Sequence, residues 1–388
     1  RGGLAISPLV ALLATPALAD PEGASVAAGS ASFSQNGSVT TIHAADRTII
    51  NYSSFDIAPH ETVRFIQPGA SSRVLNRINS AAPTHIDGTL TANGRVYITN
   101  PAGVIFGQNS VINAAAIYAA AGSITDTDFL KGIDRFTDLQ GDVINHGSIY
   151  ADTVHLLGQH VANFGSIEAN DVVTLVAGDE VLIGERGGHV YARMSAQQLA
   201  DHAETLGESS SMLASGDIYA VAIHDLSSIR ARSVQVHADV VQARGTIDAS
   251  TNVPGQRGGR VELLGNRVAV DGAIKAAATG SGDGGTVAVW SDSGTGFGGE
   301  ISAAGAGRGD GGMVEVSGKH GLAYQGTVQT PGGKQGGNKG TLLLDPLDIK
   351  VVEDGTGDSI TLTDIDQFTD PDTNLDGDAF PNEIEALV

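Results

Sequence analysis

The segment 372–383 has the residue types and spacing of a cation loop, fitting D-x-[DN]-x-[DN]-G-x5-E. Asp372, Asn374 and Asp376 would supply side-chain oxygens and Asp378 a carbonyl, while Glu383 could close the shell with both oxygens. Gly377 allows the sharp turn. About seven hard oxygen ligands suit calcium better than a transition metal. Pro381 and the lack of an entering helix depart from an EF-hand. A thrombospondin-like or dockerin-like loop fits as well, and the competing reading is a solvated acidic linker.

A second constellation, Asn100-Pro101-Ala102-Gly103-Val104, is turn chemistry. Proline holds φ, glycine accepts positive φ, and the asparagine side chain can bond backbone two residues on. It separates two alternating strand patterns, 95–99 and 104–106, and so belongs at a corner. Other motifs carry less. The tripeptide Arg308-Gly309-Asp310 lies in a Gly-Asp-Gly-Gly loop that recurs without arginine at 282–285, so it reads as chance. The glycine strings lack the Lys-Ser/Thr of a phosphate loop, and there is no G-x-S-x-G elbow. His155 and His160, five apart, read as surface or turn residues.

The elements that must position these groups show in a repeat. The pattern G-x-[IV]-x-[AT] starts at Gly245, Gly272, Gly299 and Gly326, each step being 27 (272−245, 299−272, 326−299). A partner pattern, G-x-[VL]-x-[VL], starts at Gly259, Gly285, Gly312 and Gly340. Upstream, Asn145-His-Gly-Ser-Ile recurs as Asn163-Phe-Gly-Ser-Ile, a step of 18 (163−145). A period in this range marks a solenoid, whose units bury their apolar faces only by stacking. The longer units add glycine-rich runs, expected to project as loops from one corner. The fold expected is all-β, a right-handed parallel β-helix with N-terminal cap strands. About a dozen coils at ~4.8 Å each predict a rod of roughly 60 Å. One short loop helix is expected from Ser195, where Ser195–Gln198 reads as a capping box and Leu199, Ala203 and Leu206 share a face.

Composition agrees. Aromatic residues are 5% of the 388, glycines number 52, and there is no cysteine. A net charge of −22 repels phosphate backbones and argues against nucleic acid and against a polybasic membrane anchor. Residues 4–19 are mostly apolar and end Ala17-Leu18-Ala19, the pattern of a secretory leader. The run is too short, and too interrupted by Pro8 and Pro16, to span a bilayer. The chain begins at Arg1, so part of the leader is expected to be missing, and the lack of an obvious C-terminal cap reads as the N-terminal part of something longer.

The stretch from Asn76-Arg-Ile78 through 86–107, with Ala119-Ala-Ala-Gly-Ser-Ile124 and Asp128-Phe-Leu-Lys-Gly-Ile-Asp-Arg-Phe136, resembles the secretion domain of the filamentous-haemagglutinin family. These are the exported partners of two-partner secretion systems. The family's N-P-N-G-[IV] motif maps onto Asn100, Pro101, Gly103 and Val104, with Ala102 replacing its middle asparagine; the asparagine of N-R-[VI] maps onto Asn76. The resemblance implies a role for these residues in recognition by an outer-membrane transporter and its periplasmic POTRA domains. It also implies a secreted or cell-surface Gram-negative exoprotein, most simply an adhesin or haemagglutinin with a receptor on a host or neighbouring cell. Toxin carrier or haemolysin is the alternative within the family; a β-helical polysaccharide lyase or a surface filament is the alternative outside it. No enzyme activity is expected. The layout expected is a partial leader over 1–19, a secretion domain over 20–140, β-helical repeats over 141–345 with the 27-residue period in 245–344, and an acidic segment over 346–388.

Overall fold

The structure is a computed structural model, and it describes residues 21–178, 180–183, 190–193, 222–224, 228–345 and 384–387. The leader, the helix expected from Ser195 and the 372–383 loop lie outside the described residues.

The chain coils as a parallel β-helix with three strand faces. On the first face the strand Val39–Ala44 begins ten successive parallel pairings, hence eleven stacked strands, ending at Thr327–Gln329. The register sets Leu90, Ile112, Ile149, Ile167, Ile229, Ile247, Ile274, Ile301 and Val328 one above another. All are at most 5% exposed. Ten strand spacings make this stack roughly 48 Å long. The second face stacks Val74, Val96, Ile117, Val154, Val173, Val234, Val261, Val287, Val314 and Leu342. The third runs from Thr84–Ile86 and Gly103–Phe106 to Leu322–Tyr324. One continuous apolar interior results. Like side chains stack because successive coils repeat the same apolar and polar alternation.

Both ends are bordered. Ser25–Ala28 pairs antiparallel with Thr48–Tyr52, and Ala31–Asn36 with Val39–Ala44, closing the first coil as such edges require. At the far end Ile384–Leu387 lies antiparallel to Thr341–Leu344.

One expectation is corrected. The glycine-rich insertions do not project freely: they form a further ladder. Thr251 N–H bonds Ala277 O, Ala278 N–H bonds Ala304 O, and Gly311 N–H bonds Asn338 O. A Cβ at Gly258, Gly284 or Gly311 would lie 2.0 Å from a carbonyl oxygen of the next coil, so only glycine admits this approach. A helix not anticipated from the sequence is also present. It is Asp126–Lys131, capped by Thr125, whose Oγ1 accepts from Asp128 N–H, and closed by Gly132 at φ 77°.

Candidate functional site

The turn at 100–103 joins the second-face strand Arg95–Thr99 to the third-face strand Gly103–Phe106. Asn100 is wholly buried and supplies most of its bonds. Its Oδ1 accepts from Ala102 N–H at 3.0 Å, and its Nδ2 donates to Ala82 O and Thr84 Oγ1, both at 3.0 Å. Gly103 N–H closes the turn onto Asn100 O at 2.9 Å. Gly103 has φ 126°, and a Cβ there would stand 2.9 Å from Asp142 O. From the next coil Gly141 packs onto the turn, where a Cβ would meet Pro101 O at 2.6 Å. Val104 is buried between Thr84 and Val143 of adjacent coils. Pro101 is the exposed residue of the turn. Ala102 still donates its N–H to Asn100, so the substitution leaves that turn bond in place.

Asn76 is elsewhere in the coil, wholly buried in the column between Ile50 and Ile98. Its Nδ2 donates to Tyr97 O at 3.1 Å. The five residues therefore share no exposed patch: in the folded state they shape corners and interior.

Beside them lies a feature that the sequence reading missed. The outward side of the second face is buried under the helix and an antiparallel sheet of Asp134–Phe136, Glu180–Ile183 and Val190–Arg193. Tyr97 and Tyr118 stack at 4.0 Å, and Phe129 from the helix meets Tyr97 edge-on at 5.2 Å. Tyr97 Oη donates to Asp134 Oδ1 at 3.0 Å, and Arg73 Nη1 stands 3.5 Å from the same oxygen in a buried ion pair. Arg77 ties the helix start down, donating to Ile124 O at 3.0 Å and to Asp126 Oδ1 at 2.5 Å. Burial first, then Asp134, pushes the Tyr118 hydroxyl up to about 12; burial raises Tyr97 as well. Both hydroxyls stay protonated, so the cluster is built to hold rather than to transfer protons. His155 also belongs here: it is 3% exposed and 4.5 Å from Tyr118. That corrects its reading as a surface residue, because the cap covers the outward side of its strand. His160, half-exposed, bonds Asp142 at 2.6 Å. The overlooked signals were Thr125 with Asp128 three residues on, Lys131 in the last turn, and Gly132.

Comparison with known proteins matches residues 17–263 to the TPS secretion domain. The chain belongs to that family. TPS secretion domains are those of two-partner secretion exoproteins, which leave through the outer membrane by way of a transporter partner; the family is not one of enzymes. A heme/hemopexin-binding protein of Haemophilus influenzae is 37% identical over 163 residues, 39% of this chain and 18% of that one. A second protein of that name from the same species is 40% identical over 81 residues, 21% of this chain and 9% of that one. The matches thus span less than a fifth of either relative's length. The HMW1 secretion domain from Haemophilus influenzae covers 84% of this chain and 100% of its own at a TM-score of 0.56 and 22% identity, a likeness of fold. Among the described residues of the secretion domain and the coils beyond it, no helix is long and apolar enough to cross a membrane. Nor do these residues include a group of three or more His, Cys, Asp or Glu set to hold a metal.

Proposed function

We propose that this chain is exported as an adhesin or haemagglutinin. Its secretion domain engages the POTRA domains of the outer-membrane transporter, threads the pore unfolded, and coils outside, where the protein meets a receptor on a host or neighbouring cell. The observation that supports this is the form of the stack. The first coil is sealed by Ser25–Ala28 and Ala31–Asn36, and each later coil has a finished template beneath it. Growth on that template adds ladder bonds and buries apolar side chains at about 1.5–3 kcal/mol each, a free-energy source in a compartment without ATP. Deleting residues 20–124 is expected to abolish secretion while the transporter is still made. Normal export of the shortened chain would refute the reading.

The 37% identity to a heme/hemopexin-binding protein favours a second reading, capture of haem or its carrier. Haem titration and a hemopexin pull-down with the purified chain separate this from adhesion. The 372–383 loop is proposed to take Ca²⁺ through Asp372, Asn374, Asp376, Asp378 and Glu383.

A further inference from the structure

The outward side of the first face carries groups outside the secretion-motif positions Asn76 and 100–104. Parallel register lines up Asn113, Tyr150, Glu168 and Arg230 across four coils. Tyr150 is 39% exposed. One residue further along each of three coils, Ala114, Ala151 and Ala169 stack as a buried floor. Beyond the floor, Asp152 and Asn170 rise again, with Asn170 Nδ2 donating to Asp152 Oδ1 at 2.7 Å. A groove of about 270 Å³ runs over the alanines between these two sets of side chains.

At the opposite margin of the same face His146 and Phe164 stack at 5.0 Å with their planes 12° apart, and Phe164 is 45% exposed. Between the margins Ser166 Oγ donates to Ser148 Oγ at 3.2 Å. His146 and Tyr150 are four residue steps apart, up to about 13 Å along the chain. The face thus offers aromatic rings at both edges, hydroxyls between them, and carboxylate and amide oxygens in the groove.

We propose that this surface binds a neutral, hydroxyl-rich saccharide, a proposal that rests on the adhesin reading and names its ligand class. A sugar ring has an apolar C–H face to lie on an exposed aromatic and hydroxyls to bridge paired oxygens. Asp152 and Glu168 accept those hydroxyls, and Asn113 and Asn170 both donate and accept. Two groove carboxylates on a chain of net charge −22 repel polyanionic sugars.

The test is an array of neutral oligosaccharides of three to five rings, with heparin fragments as the anionic control, read against the secreted protein and followed by calorimetry. At least one neutral oligosaccharide should bind. Tyr150→Ala and Asp152→Asn should each weaken it tenfold or more without moving the melting temperature, and Lys275→Ala, on the same face outside the groove, should leave it unchanged. No neutral ligand at millimolar concentration, binding unaltered by Tyr150→Ala, or preference for heparin overturns the proposal. Cells that ignore the wild-type protein would refute the adhesin reading while leaving the array result standing.

Discussion

Asn100 shows how one side chain can hold a corner. Its amide serves Ala102 N–H on one side and the oxygens of Ala82 and Thr84 on the other. Asn100→Ala strands those buried partners and is expected to cost about 2–3 kcal/mol in urea unfolding, with the m-value unchanged. Its turn role was legible from Asn-Pro-x-Gly; its bonds to the preceding coil were not, because nothing local fixes which residue of another coil stands opposite. His155 makes the reverse case. Burial, then Arg95, lowers its pKa from 6.5 to about 3. Between those values the unfolded chain holds a proton that the native one does not, so stability rises with pH. Acidifying below pH 6.5 should therefore cost about 1.4 kcal/mol per unit until pH nears 3. Denaturant titrations at pH 7 and 5 check this; His155→Gln should flatten most of the slope. His237, lowered chiefly by burial, adds a share of the same sign.

At the scale of elements the cap stands apart from the coils. It is fixed by the buried Arg73–Asp134 pair, by Tyr97 Oη on Asp134, and by Arg77 on the helix start. Asp134→Asn takes one charge from a buried pair and should loosen the cap by about 3–5 kcal/mol. Hydrogen exchange should then show the amides of Asp126–Lys131 and Asp134–Phe136 losing protection, while the first-face ladder keeps its own. Within the coils, Ile247→Ala should cost about 2–5 kcal/mol, since the site is closed above and below by Ile229 and Ile274. Charges on that face alternate as Glu168, Arg230, Asp248 and Lys275, and Arg230 bonds Asp248 at 3.2 Å. Such exposed pairs add little to stability.

At the scale of the molecule, stability is a sum over neighbouring coils, so its loss depends on where a coil is removed. Taking away Ser25–Asn36 exposes the edges of Val39–Ala44 and Thr48–Tyr52. That variant should aggregate on refolding, by light scattering, at concentrations where the intact chain stays clear. The proposed calcium loop at 372–383 carries its own prediction. Calorimetry should find one weak site with Kd ~10⁻⁴–10⁻³ M, lost in Asp376→Ala.

A 27-residue beat of glycine and isoleucine already dictates a solenoid, because thin strands of that pattern can bury one face only against copies of themselves. The Asn-Pro-x-Gly corner follows from the same local rules. What emerges only when coils stack is everything that depends on distant segments meeting. The glycine runs look like free loops until a neighbouring carbonyl stands where a side chain would be. Tyr97, Tyr118 and His155 look like ordinary outward positions until a helix and a sheet from other parts of the chain cover them. Local pattern records which face of a strand is apolar; whether a second layer lies over the polar face is set by chain segments far away in sequence.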